Sequence, residues 1–417
     1  MSTPALWQLA IVVLLIALAI GLRFSKVFRG YQFTAWILAA VAAAMVYPER
    51  ILHVGGVDMR NKWLLLIIVQ LVMFGMGTQM SLKDFSGVAK SPRGVLVGIV
   101  CHFSVMPLVG FALIKIFHFP PEIAAGIILI GSCSSGLASN VMAYIAKSNL
   151  ALSVTVTAVT TMLAPLMTPL WMKLLAGQLI EVKFFNMMME IIKIVLVPIG
   201  AALLHDYLKH VSSRGRKTVF AIAGFGAAWL LFLACGGWAW MASRAPEHLA
   251  LGIGIFGFFL AAVVAGVLFH WLTRRLDRLE SWMPKFSMFG IVYFTLVTTA
   301  AGRDNLLKIG GLLFLAAILH NAAGYVFGYW LSRASGLDKN SARSVAFEVG
   351  LQNGSMASGV ANAMGMLGTM GLAAAIFSPW MNVSGSVLAN YWSKRPVGFE
   401  QEKAKRAEAI TADDRGS

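Results

Sequence analysis

The chain has 417 residues, of which 58% are hydrophobic and only 12% charged, and its mean hydropathy is +0.75. A water-soluble domain carries roughly 25% charged residues, so this composition excludes one and describes an integral membrane protein. The formal charge of +16 is spread over short loops rather than gathered into one stripe, which argues against a nucleic-acid partner and for topology signals and contacts to the lipid bilayer, anionic lipid above all.

About 20 apolar residues cross ~30 Å of hydrocarbon. On that criterion thirteen spans are expected, at 5–22, 32–48, 63–80, 93–117, 122–145, 149–174, 187–207, 219–242, 249–272, 286–301, 309–332, 342–366 and 369–392. No Lys or Arg precedes the first, and Arg23, Lys26 and Arg29 come after it, so it reads as a retained anchor rather than a cleaved signal. Basic clusters then recur at alternate loops: Lys83/Lys90/Arg93, Lys147, Lys209/Arg214/Arg216/Lys217, Arg274/Arg275/Arg278/Lys285, Arg333/Lys339/Arg343 and the tail from Lys394. The positive-inside rule places the N-terminus outside and the C-terminus in the cytoplasm. The tail mixes both signs of charge without apolar periodicity and reads as a solvated cytoplasmic end. Cys101, Cys133 and Cys235 lie in apolar stretches at unrelated spacings, which form neither a disulfide framework nor a metal site.

Two spans are interrupted by polar residues that a membrane helix has no need of. GSCSSGLASN, 131–140, puts serines, glycines and an asparagine inside 122–145, and EVGLQNGS, 348–355, does the same inside 342–366. Such clusters of poor helix formers predict unwound backbone at membrane depth. Paired broken helices near the midplane are a device of secondary transporters, in which freed carbonyls meet cations and half-helix N-termini face anions. Glu348 and Gln352 are four apart and share a helix face, as do Ser153 and Thr157, which present hydroxyl oxygens. Oxygen ligands suit a hard cation. Ser153 alone reads equally as a residue bonded back to its own helix or to a neighbour. No nucleophile and base stand in register, since single Ser, His and Glu residues are scattered over separate spans, so an enzyme is not expected.

FGMGTQMSLKDF (74–85), VMPLVGF (105–111), ASNVMAYIAKSNLALSVTVTAVTTMLAPLMTP (138–169), ILHNAAGYVFGYW (318–330), EVGLQN (348–353) and SPWMNVSGSVLANYW (378–392) resemble, in this order, the bile acid:sodium symporter family of transporters. The resemblance implies an all-α membrane fold of two inverted five-helix repeats, grouped into core and panel domains, with two crossed broken helices. It also implies two sodium ions as coupling ions. The first would be held by Ser139, Asn140, Ser153, Thr157 and Glu348. The second would be held by Glu348, Gln352 and the carbonyls of Val349 and Leu351. A substrate cavity is implied near Ser135, Leu137, Asn353 and Asn382. The cargo implied is an organic anion such as a bile-acid-like steroid or a small carboxylate of the pantoate or 2-keto acid kind, taken up by alternating access. An exporter or a proton-coupled carrier of organic anions on the same fold is the alternative. The membrane implied is a bacterial inner membrane.

The chain departs from the family at several places. His102 stands where relatives often have a glutamine that completes the second sodium site, and reads either as an ion-site residue or as a packing histidine. Ser134, Ser135 and Leu137 replace Pro, Gly and Thr, and Met381 stands where some relatives have histidine. His320 and Asn321 read as polar packing within the core. Thirteen spans are three more than the family's ten. The expected organisation is therefore an extra helix over 1–30, the first part of the transporter core over 31–210, an inserted helix pair over 211–280, the second part of the core over 281–393 and a tail over 394–417. An even insertion preserves the orientation of the helices after it, as the alternating charges require.

Overall fold

The structure, a computed structural model, describes residues 6–24, 32–276 and 278–397. The predicted contributions of Lys26 and Arg29 to the first loop, and of the tail beyond residue 397, lie outside the described residues. Helix α1 (Leu6–Gly21) is followed by α2 (Gln32–Val46) and the short α3 (Pro48–Leu52). A two-residue hairpin, β1 (His53–Val54) and β2 (Val57–Asp58), turns through Gly55 and Gly56 at positive φ. The Asn61 side chain accepts from the first free amides of α4 (Lys62–Gly77), an orphan-donor cap of the usual kind. After α5 (Gly87–Lys90), α6 (Pro92–Phe117) opens on a proline and ends at His118 in the left-handed region.

The first predicted break is found: α7 (Pro121–Ser132) stops, and α8 (Ala138–Ile145) resumes the path. Helix α9 (Leu150–Trp171) begins on the Asn149 cap. Helices α10 (Phe184–Ile191) and α11 (Val197–His210) make one rod through a π-helical turn at Ile192–Leu196. Helices α12 (Ser213–Phe232) and α13 (Trp238–Ala242) are joined across a kink at Gly236. Then come α14 (Glu247–Thr273), α15 (Leu279–Ala301) and α16 (Arg303–Ala334). The second predicted break separates α17 (Lys339–Gly350) from α18 (Gly354–Ala363), and α19 (Gly371–Ser393) closes the fold.

Packing sorts these helices into two layers. In one, α4 lies along α15 and α11, and α2 lies on α15. In the other, α6 lies along α16, α7 rests on α6 and α19, and α17 rests on α16 and α9. The broken helix of each half thus leans on the last helix of the opposite half. That exchange is what two inverted repeats of five produce, with α2, α4, α6, α7/α8 and α9 matched by α10/α11, α15, α16, α17/α18 and α19. The hairpin α12–α14 packs chiefly on α11. Gly266 lets α14 approach so closely that a Cβ there would sit 2.6 Å from the Ala201 carbonyl, and His270 meets His205 at 3.3 Å. Its other faces present Phe225, Trp240 and Phe259 outward, as lipid-facing helices do.

Every one of the thirteen predicted windows is occupied by a helical rod, but not every rod is one long helix. Among the described residues, eight helices are long and apolar enough to cross a membrane, and Lys62–Gly77 with Leu82–Lys90, bent by 61°, would make a ninth. The other windows hold the short α2, the two broken pairs, and α15, which carries Glu280 and Lys285 near its start. A broken helix divides one apolar window into two halves that are each too short to qualify.

Candidate functional site

The two breaks meet. Ser135 and Gln352 form an isolated antiparallel bridge, with the Gly136 amide donating to the Leu351 carbonyl and the Asn353 amide to the Ser134 carbonyl, both at 2.9 Å. Gly136 is required at this crossing, because a Cβ would come within 2.7 Å of the Gln352 carbonyl oxygen, a backbone atom with nowhere to go.

Unwound backbone away from water must find partners, and here the partners can be named. Thr168 Oγ1 donates to the Ser132 carbonyl at 2.7 Å. His102 presents Nε2 to the Cys133 carbonyl at 2.8 Å and Nδ1 to the Glu348 carbonyl at 2.9 Å. Gln352 Nε2 donates to the Val349 carbonyl at 2.7 Å, and Asn321 Nδ2 to the Gly350 carbonyl at 2.8 Å. Most of these carbonyls are therefore met by protein donors, a neutral His102 serving either Cys133 or Glu348, and a larger set of oxygens converges on few donors among the side chains.

Those side chains are the five of the first predicted ion set. Glu348 is fully buried, with Oε1 contacted by Ser153 Oγ and Oε2 by Thr157 Oγ1 at 2.8 Å. Asn140 Oδ1 lies 2.9 Å from Ser153 Oγ and 3.2 Å from Thr157 Oγ1. Ser139 Oγ lies 3.2 Å from Thr157 Oγ1 and 2.8 Å from the Gly136 carbonyl. Three hydroxyl protons must serve these six oxygen–oxygen contacts, so the cluster is rich in acceptors and short of donors. Among the described residues no basic side chain pairs with the Glu348 carboxylate. A buried carboxylate without a counter-charge is costly, and a cation at this point would relieve both deficits.

The members of the second predicted set are less alike in placement. Val349 and Leu351 offer carbonyls that already take a donor, Leu351 also from Ser135 Oγ at 3.3 Å. Gln352 lies in the extended break beyond the end of α17 at Gly350, so it does not share a helix face with Glu348 as expected, and its Oε1 is buried with no partner among the described residues. His102 stands beside both breaks with its ring edges aimed at carbonyls. His320 and Asn321 are buried and bonded to the Met106 and Gly350 carbonyls, as expected of core packing.

A cavity of about 440 Å³ lies next to the crossing. Leu137, Asn353 and Asn382 line it, whereas Ser135 sits behind the wall, bonded to Ser139 and Leu351. Sequence reading missed Phe33 and Thr34 of α2, Met76 of α4, Gln79 just beyond its end, and Ser287 of α15, which form the opposite wall. Nothing in an apolar helix singles out such residues. None of the lining side chains is charged. The polar features facing the space are amides, hydroxyls and the first turns of α8 and α18.

Comparison with known proteins agrees with this arrangement. The profile of the sodium bile acid symporter family matches residues 66–241. An uncharacterized sodium-dependent transporter of Bacillus subtilis (strain 168) is 31% identical over 368 residues, which is 88% of this chain and 92% of the relative. A probable chloroplastic sodium/metabolite cotransporter of Arabidopsis thaliana is 29% identical over 78% of this chain and 65% of its own length. The human ileal sodium/bile acid cotransporter is 27% identical over 69% and 66% respectively. A sodium proton antiporter of Methanocaldococcus jannaschii shares the fold, with a TM-score of 0.53 at 12% identity over 93% of this chain and 98% of that one. From its helices, its crossed breaks and its relatives, the chain belongs to the sodium bile acid symporter family of multi-pass, sodium-dependent transporters.

Proposed function

We propose that this protein is a symporter that moves an organic anion with sodium by alternating access. The observation that carries the reading is the donor deficit around Glu348: six close oxygen contacts, three hydroxyl protons and, among the described residues, no basic partner. Sodium is the cargo that this cluster fits, held by Ser139, Asn140, Ser153, Thr157 and Glu348. A second sodium would use Glu348, Gln352 and the Val349 and Leu351 carbonyls. Support for it is the unpartnered Gln352 Oε1.

The anion would occupy the neutral cavity at the first turns of α8 and α18, whose dipoles favour negative charge. Sodium that ties Glu348 on α17 to Asn140 on α8 and to Ser153 and Thr157 on α9 would fix the crossing and, with it, both helix starts. Coupling then needs no basic side chain in the cavity. Two sodium ions with one monoanion carry a net charge of +1 inward, which gains ~2.3 kcal/mol per 100 mV of inside-negative potential. Each tenfold sodium gradient adds ~1.4 kcal/mol per ion. Steroid-like and small carboxylates are the substrate classes proposed.

Alternating access is supported by two cavities at opposite ends of α18. The 440 Å³ cavity reaches its start at Gly354 and Ser355, and another of about 390 Å³, lined by Glu181 and Glu190, reaches its end at Val360 and Ala363. Between them Gly359 is pressed against Val69 and Ile194, where a Cβ would sit 2.9 and 3.1 Å from their side chains. The larger cavity lies toward the helix ends that carry the basic loops, so this state would face the cytoplasm, across the bacterial inner membrane we assign to the protein. The extra helix over 1–30 and the inserted pair over 211–280 would be scaffold outside the two five-helix repeats.

Uptake of labelled bile-acid-like and small carboxylate substrates into vesicles, with sodium or potassium outside, tests the proposal. Saturable uptake that needs the sodium gradient is expected. Uptake indifferent to sodium, or net export down the same gradient, contradicts it.

A further inference from the structure

Helix α17 carries a second buried charge, on a face turned away from the ion cluster. Arg343 is 9% exposed. Among the described residues no hydrogen-bond acceptor and no acid meets its guanidinium, and its Nη1 is buried without a partner. Its close contact is the face of Trp392, 5.4 Å from the ring centre. Phe347, one turn further along α17, packs on the same Trp392 ring, while Glu348 and Ser344 look toward α9 and its Asn149 cap. The two uncompensated charges of α17 therefore do not neutralise each other.

A guanidinium with five donors and no acceptor calls for an anion. The nearby acid is already used: Asp338 caps α17, accepting from the Asn340 and Ser341 amides and from Ser341 Oγ. Arg343 lies about one turn inside the start of α17 at Lys339, and its contact with Trp392 brings it to the end of α19, which runs on into Lys394 and Arg395. Tyr329, Trp330, Tyr391 and Trp392 make an aromatic band there, with Trp330 and Tyr391 exposed. Such a band marks the level of the lipid headgroups, and a long basic side chain reaches it from one turn below.

We propose that Arg343, stacked on Trp392, is a seat for a phosphate oxyanion, supplied by the headgroup of an anionic phospholipid in the adjoining leaflet. The planar fork suits a phosphate, and the exposed aromatic band offers apolar contact to the glycerol and upper acyl chain. A free phosphate ion would make the polar contacts alone.

The test uses full-length protein in detergent micelles, as wild type, Arg343→Met and Arg343→Lys, titrated with phosphatidylglycerol, phosphatidylcholine or inorganic phosphate. Melting temperature and lipid retention by native mass spectrometry are read together. Without lipid, Arg343→Met should melt no lower than wild type, because the exchange removes an unpaired buried charge. Phosphatidylglycerol should raise the melting point of the wild type, bind it about tenfold more tightly than Arg343→Met, and bind Arg343→Lys with intermediate affinity. Phosphatidylcholine and inorganic phosphate should do little. Equal stabilisation of wild type and Arg343→Met by phosphatidylglycerol overturns the proposal, as does a lower lipid-free melting point for the Met variant, which would mark a purely structural arginine. Inorganic phosphate reproducing the whole effect overturns the lipid assignment.

Discussion

Ser135 and Gln352 pair across the crossing of two broken helices, and the adjacent Gly136 leaves no room for a side chain above the Gln352 carbonyl. Gly136→Ala should therefore push the crossing apart and cost about 1–3 kcal/mol, the usual range for overpacking. Thermal unfolding and sodium-driven uptake should both fall. A variant with wild-type values for both would show that the crossing tolerates separation.

Gly359 bears on closure rather than on binding. Gly359→Val would set a branched side chain against Val69 and Ile194 and hold α18 away from α4. Transport should be lost while the protein remains folded, and a cysteine introduced at Ala363 should become more accessible to a membrane-impermeant reagent from outside. Unchanged labelling with normal transport would remove Gly359 from the gate.

His102 presents a ring nitrogen to each break, and a neutral ring has one N–H to give. Replacing it with leucine removes that one donor from this pair of buried carbonyls, which should cost roughly 1–3 kcal/mol. His102→Gln should keep a donor and also bring an amide oxygen, so its sodium half-saturation should fall below that of wild type. Identical sodium half-saturation in the wild type and the Gln variant would leave His102 as a packing residue only.

The orientation that the loop charges predict can be read by cysteine labelling in a background without Cys101, Cys133 and Cys235. A cysteine at Ala245, between α13 and α14, should label from outside. One at Arg278, before α15, should label only after permeabilisation. The reverse result at either position contradicts the alternation of basic loops.

The breaks were legible because Gly, Ser and Asn in the middle of an apolar window leave few physical alternatives to unwinding. Ser153 with Thr157 was legible because helical spacing puts the pair on one face of α9, whereas Gln352 lies in the extended break after Gly350 and shares no helix face with Glu348. The groups that satisfy the breaks were not. Thr168 and Asn321 come from helices whose sequences show only a polar residue in an apolar run, and their target carbonyls exist only once the breaks are in place. The far wall of the cavity was hidden for a similar reason, since Phe33 and Met76 look like any lipid-facing side chain until α2 and α4 are seen across the cavity from α8. Hydropathy windows coincide with thirteen helical rods, yet helix length would have stopped at eight or nine, because breaks and bends shorten the helices that carry the chemistry.

Sodium held at Glu348 should be visible in the stability of the protein. Sodium that binds only the folded protein raises its stability by ~2.7 kcal/mol at a hundred times the dissociation constant for one site. The measurement is the melting temperature of purified wild type and Glu348→Gln as sodium replaces potassium at constant ionic strength. The wild type should be stabilised by sodium and not by potassium, and Glu348→Gln, which keeps the volume and loses the charge, should show no sodium-dependent rise. A Glu348→Gln protein stabilised by sodium as strongly as the wild type would contradict the assignment.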